Sequence, residues 1–417
     1  MQTSITIKKY AQLSVVLVTV IVFFIPISTL AQPIKFKIWA NTQTRETFSD
    51  NVESNGFLDD SFGVQISNNF QNFKSNLALT ISQSDKNKSL LFDQSFLEFK
   101  TKKNSAYGIG KINRNWSFSK NTSLILSKNA RPSDSIYFIK KDPSSNGRLS
   151  SWIGPWSFEA FNSILSFSNE VNNPMLLGMR FVLKPYNNLE FELIKTSQWG
   201  GSQHSNSLSA FASAIIGNTN ESNNANVNQM AGFGVSFKDT INDLPIRTYA
   251  QVIGEDESGS LPSCLMGLIG SELSLKSKLF TEIGVEYIDT RIDTTEHGYC
   301  GPQTAYSNID YPYVNYDKTM GTSIDSEGKL YNVWATTEIS KNTSIYYAIK
   351  NITINDFNSS NHRLSSTKKN GWLTSIGTSW KLNDLNINTN ITYQDFHLDK
   401  IKQKNGFSFK LYADYSF

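Results

Sequence analysis

The stretch Gly406-Phe-Ser-Phe-Lys-Leu-Tyr-Ala-Asp-Tyr-Ser-Phe417 decides the fold. Phe407, Phe409, Leu411, Ala413, Tyr415 and Phe417 alternate with Ser408, Lys410, Tyr412, Asp414 and Ser416. A period of two puts the apolar set on one face of a β-strand and the polar set on the other. Residues 385–395 repeat the device, with Leu385, Ile387, Thr389, Ile391 and Tyr393 against Asn386, Asn388, Asn390, Thr392 and Gln394. So do residues 372–382, where Trp372, Thr374, Ile376, Thr378, Trp380 and Leu382 oppose Ser375, Gly377, Ser379 and Lys381. Residues 279–289, 175–184 and 331–339 follow less cleanly. Each is about ten residues long, the length a tilted strand needs to cross a bilayer.

A soluble β-sandwich also alternates apolar and polar positions. Two features decide for a transmembrane antiparallel β-barrel. Phe407, Tyr415, Phe417, Trp372, Trp380 and Tyr393 fall near strand ends on the apolar face, as an interfacial girdle requires. The connections also alternate short and long. Turns at 383–384, 340–342, 276–278, 239–244 and 185–188 are short; loops at 399–405, 356–370, 291–327, 254–263 and 200–228 are long. Short periplasmic turns and long outer loops are the habit of outer-membrane barrels, and a sandwich has no reason to segregate them.

Upstream, strands are expected at 157–166, 135–141, 122–129, 107–114, 95–101, 76–84, 62–70 and 34–41. The count comes to about 16 to 18 in an all-β fold, and single-chain barrels have even numbers. The faces that point inward carry Arg180, Glu190, Glu192, Glu282, Glu286, Lys410 and Asp414. They read first as a wetted wall stabilised by cross-strand charge pairs. Residues 208–216 (Leu208, Ala210, Phe211, Ala214, Ile215) have helical spacing and read first as a short surface helix, with a cap over the barrel mouth as the alternative.

The first 31 residues read as a signal peptide, not as part of the fold. Lys8 and Lys9 precede an apolar run from Leu13 to Ile25, Pro26 breaks it, and Thr29-Leu30-Ala31 supplies small residues for cleavage before Gln32. The run is shorter than the roughly 20 residues of a spanning helix. Residues 32–417 are then one barrel domain in a Gram-negative outer membrane. Removing 1–31 leaves 37 Lys and Arg against 36 Asp and Glu, so no basic stripe calls for nucleic acid. In the oxidising envelope Cys264 and Cys300, both on the outer side by the loop pattern, are expected to pair.

The chain has no G-x-S-x-G, C-x-x-C, H-E-x-x-H or P-loop motif, and its four histidines (His204, His297, His362, His397) lack metal-ligand spacing. The reading is therefore a non-catalytic protein with neither metal nor cofactor. A glycan site needs aromatic faces for sugar rings and fixed polar groups for hydroxyls, on the outer side. The 291–327 loop offers Tyr299, Tyr306, Tyr311, Tyr313 and Tyr316, with Asp310 and Asp317 among them. Gln198 and Trp199 stand where a strand enters the largest outer loop, and Glu255-Asp256-Glu257 form an acidic turn at another. The same tyrosines would also serve to pack the loops against one another.

Several segments together resemble the Wzi capsule-assembly family. They are Ser123-Leu-Ile-Leu-Ser-Lys-Asn-Ala-Arg-Pro132, Thr196-Ser-Gln-Trp-Gly-Gly201, Gln229-Met-Ala-Gly-Phe233, Tyr249-Ala-Gln-Val-Ile-Gly-Glu-Asp-Glu257 and Glu286-Tyr-Ile-Asp-Thr290. Their order and spacing match from about residue 95 to the end; residues 299–329 match the family's Tyr/Gly-rich loop only loosely. The closing Leu411-Tyr-Ala-Asp-Tyr-Ser-Phe417, with Tyr415 and Phe417, resembles the terminal signature read by the barrel-assembly machinery. The resemblance implies an outer-membrane barrel, lectin-like, that retains capsular or other surface polysaccharide. The barrel is expected to be monomeric in outer-membrane lipid. The competing reading from another class is a porin-like diffusion channel.

Overall fold

The computed structural model describes residues 34–48, 60–83, 88–101, 104–142, 150–166, 171–202, 204–216, 227–258, 261–276, 279–292 and 300–417. The proposed signal peptide, Tyr299 and His297 lie outside them.

The described chain closes into an antiparallel barrel of eighteen strands. Closure is made by the first strand, Lys35–Gln43, which pairs with Asp60–Phe70 on one side and with Gly406–Ser416 on the other. The fourth strand is broken: Lys88–Leu91 and Phe96–Lys100 both pair with Phe73–Gln83. A closed barrel leaves no strand edge unpaired, which is the condition for spanning lipid with strands. Among the described residues no helix is long and apolar enough to cross a membrane.

The period-two reading holds. Phe407, Phe409, Tyr415 and Phe417 are exposed on the outer wall, while Ser408 and Asp414 are buried inside. Trp372, Ile376, Ile391 and Tyr393 repeat this on the neighbouring strands. The described short turns are as expected, the one at 276–278 lying partly outside the described residues; in the turn at Asn242-Asp243 both residues take positive φ (49° and 65°), the geometry of a type I′ hairpin. Inside, several large aromatics lie across a glycine directly opposite in register. A Cβ on Gly63 would stand 2.2 Å from Trp39, and one on Gly108 2.0 Å from Tyr137. Glycine is needed at these points because the ring occupies the space a side chain would take.

Two expectations need correction. Residues 122–129 are not a strand. They belong to the connection 112–133, which folds down into the lumen and buries Leu124, Ile125 and Leu126 there. The sequence Leu-Ile-Leu reads as a strand because both environments bury apolar side chains; here the backbone is held by side chains. Gln251 Oε1 accepts from Leu124 N at 2.9 Å, and Gln251 Nε2 donates to Trp116 O at 2.7 Å. Second, residues 254–263 are not a long loop, because the strands Leu244–Ser258 and Leu261–Lys276 run on and pair through them. The helix Leu208–Ile216 is the surface helix expected, not the alternative cap over the mouth. It packs on the outer wall, against outward-facing Leu177 and Trp199.

The inward charges do form pairs, but much of their work is to hold the inserted segment. Arg180 pairs with Glu192 at 2.5 Å, and Arg247 with Glu272 at 2.7 Å. Arg247 also donates to Phe118 O at 2.7 Å, Lys120 reaches Glu272 at 3.2 Å and binds Glu282, and Asn121 donates to Glu286 at 2.7 Å. Because Arg247 is the fourth residue of its strand from the periplasmic turn, the insert reaches deep into the barrel. The hydrophobic core is therefore the interior of the barrel itself, centred on this segment.

Candidate functional site: the lid over the barrel mouth

Residues 300–328 cross the mouth and rest on the inserted segment. Tyr306 donates its hydroxyl to Leu124 O at 2.6 Å and stacks on Tyr313 with ring centroids 5.9 Å apart. Tyr313 meets Thr196 Oγ1 at 3.0 Å on the wall, and Tyr311 donates to Gly200 O at 2.8 Å. Gln198 Nε2 donates to Pro312 O at 3.0 Å, and Asn228 bridges Gln198 and Tyr311 O. All three tyrosines are buried, and burial pushes their hydroxyls above the ordinary range; for Tyr306 and Tyr313 the Glu255 charge adds to it. Cys264 and Cys300 are joined, with Cα atoms 5.3 Å apart, tying the outer end of a strand to the start of the lid.

Charge locks the far end. Burial would raise the Asp325 carboxyl, but Arg363 holds it below the usual carboxylate range, bonding Oδ2 through Nε at 2.7 Å. Arg363 also donates to Tyr306 O at 3.1 Å, so the 355–368 loop clamps the lid. Beside it, Arg291, Lys329 and Lys368 surround Asp356, at 3.1, 3.6 and 2.5 Å. None of these partners was singled out from the sequence. Their signal, a charge facing its opposite across two loops, exists only in three dimensions.

The expected site residues thus separate. Tyr306, Tyr311, Tyr313 and Gln198 come together, but inward, as packing. Trp199 faces the outer wall, against Phe211 of the helix at 5.3 Å and donating to Asn162 at 3.1 Å. Glu255 is buried within its strand, and Asp256 and Glu257 lie in the paired strand beside it. Tyr316 alone of the described tyrosines in this loop is half-exposed. It sits with Asp317 at the tip of the hairpin Val314–Asn315/Lys318–Thr319, both residues at positive φ (49° and 60°). That backbone is unfavourable for an aromatic residue. It is held by the Arg131 guanidinium 4.1 Å above the ring, by Lys111 Nζ at 3.2 Å from the hydroxyl, and by Tyr316 N donating to Ser166 O at 2.6 Å. Asn308 and Asp317 are exposed on the same lid.

A closed eighteen-stranded barrel with an apolar, aromatic-rimmed outer wall and its own loop across one end has the build of an outer-membrane β-barrel protein. Residues 40–410 match the family model described as capsule assembly protein Wzi, and the chain belongs to that family. A Klebsiella pneumoniae relative, described as an uncharacterized 55.8 kDa protein in the cps region, is 37% identical over 123 residues, 29% of this chain. The match spans only 24% of that relative's length. Among solved structures, Escherichia coli Wzi aligns with a TM-score of 0.79 at 22% identity, over 92% of this chain and 84% of that one. It is described as an outer-membrane protein involved in group 1 capsule assembly and as a carbohydrate-binding β-barrel. Pseudomonas aeruginosa OprD aligns less well, with a TM-score of 0.53 at 8% identity, over 92% and 94% of the two chains. At these identities the likeness speaks for the barrel fold alone.

Proposed function

We propose that this chain is a non-catalytic surface protein that holds capsular or related polysaccharide on the outside of the cell. The observation that carries the reading is the mouth: the chain's own lid and insert occupy the space a diffusion channel would leave open. Membership in a capsule-assembly family supports the same direction. The porin-like alternative has no observation in its favour beyond a shared barrel.

The tyrosines that pack the lid set its shape, and the polysaccharide meets its outer face. There Tyr316 offers a ring, and Asp317 and Asn308 offer hydroxyl partners. A repeating polymer touching many copies needs little affinity at each, because linked sites gain about 10²- to 10⁴-fold in avidity. We further propose that residues 1–31 are removed on export, that Phe417 and the strand before it present the chain to the assembly machinery, and that the barrel is monomeric in lipid. Replacing Tyr316 with Ala should release polysaccharide into the medium at constant total synthesis and unchanged barrel yield. Full retention by this variant would remove Tyr316 from the site. Full retention after loss of the whole protein would overturn the function.

A further inference from the structure

The helix Leu208–Ile216 is built the wrong way round for a helix facing water. A water-facing helix turns its apolar stripe to the protein and charges to the solvent. Its nine residues, LSAFASAII, include no charged side chain. Small Ala210 and Ala214 are the buried positions, allowing close approach to the barrel. Leu208, Ala212 and Ile215, spaced i, i+4, i+7, form the face turned away, with Ile216 beside it. Leu208 is 87% and Ile216 77% exposed.

Its position explains the inversion. Ser197 donates to Ala214 O at 2.9 Å and Lys195 Nζ to Ile215 O at 3.2 Å, and both side chains point outward from the strand Leu189–Trp199. The next outward position towards the periplasm is Leu193, paired in register with Phe233; both are exposed on the membrane-facing wall. The helix thus begins one outward residue above the apolar belt and continues it.

We propose that this helix lies in the outer leaflet, with Leu208, Ile215 and Ile216 in contact with lipid acyl chains. Lys195 holds its carboxyl end at the boundary, where a cation suits the helix terminus. Amphipathic helices bury an apolar face at this depth. The inference depends on the membrane barrel and not on polysaccharide retention.

The test uses the full-length protein in liposomes, spin-labelled at one introduced thiol at a time, since the native cysteines are joined to each other. Leu208→Cys and Ile216→Cys are compared with Leu193→Cys on the belt and Ile309→Cys on the exposed lid. Oxygen partitions into lipid and a nickel chelate into water. An oxygen-to-nickel collision ratio at 208 and 216 equal to that at 193, and several-fold above that at 309, is expected. Ratios like that at 309 would put the helix in water and overturn the proposal. Shielding from both reagents would assign the face to a protein partner and overturn it equally.

Discussion

Glu286 shows how single side chains hold the interior. Its carboxylate accepts from Tyr249 at 2.5 Å, Asn121 at 2.7 Å and Asn332 at 3.3 Å, and from Ser119. Two of these donors, Ser119 and Asn121, belong to the inserted segment, so this wall residue holds it together with Gln251, Arg247, Glu272 and Glu282. A buried donor left unpaired costs about 1–3 kcal/mol. Glu286→Ala should therefore loosen the insert around Ser119 and Asn121 without opening the barrel. Hydrogen exchange at amides 117–126 is expected to rise by at least an order of magnitude while strand amides stay protected. Unchanged exchange there would show that the donors find other partners. Nothing in the period-two pattern marks Glu286 apart from Glu190, since both are inward acids; only the insert beneath it makes the difference. The glycines opposite Trp39 and Tyr137 are similar, because the need for them arises from a ring on another strand.

At the scale of elements, strands were read well and connections poorly. A strand meeting lipid on one side and the interior on the other must alternate, so its sequence carries its own signature. A loop that folds inward carries none. Residues 122–129 and the lid tyrosines were legible as apolar or aromatic, yet their direction was not. The lid also has a testable acid response. Asp325 has its folded pKa depressed, so its contribution is complete above the unfolded value near pH 3.9 and is lost as pH falls through the folded value. Asp356, for which burial is outweighed by Lys368 and Arg291, acts with the same sign. Glu327, raised chiefly by burial, acts oppositely, since protonation relieves it. With two depressed carboxylates against one raised, the lid should stay closed from neutral pH down to about pH 5 and loosen below about pH 4. In planar bilayers the protein is expected to show no large stable conductance step at pH 7 and to gain openings in acid. Asp325→Asn should bring those openings to pH 7. Acid silence together with a silent variant would show that the insert seals the lumen unaided.

For the whole molecule, closure depends on the last strand, because Gly406–Ser416 must pair with both Leu385–Gln394 and Lys35–Gln43. Leu411 lies mid-strand in register with Thr42 and Thr389 on the lipid side. Leu411→Asp puts a carboxylate there at a cost of about 2 kcal/mol, before any effect on assembly. The expected result is less barrel with the heat-dependent gel shift and more periplasmic degradation, and loss of Phe417 should act in the same direction. Normal yield of both variants would mean that closure does not rest on this strand. By itself the sequence determined the barrel, its even strand number to within two, and the apolar belt. Those properties follow from the two faces of a strand meeting two different media, and the period records the media directly. The tertiary structure alone decided that the insert and the lid occupy the outer part of the lumen, that Tyr306, Tyr311 and Tyr313 face inward while Tyr316 does not, and that the uncharged helix lies outside the wall. An apolar side chain is equally content against lipid, a lid or an insert, so which one it meets depends on where distant backbone and charge partners stand.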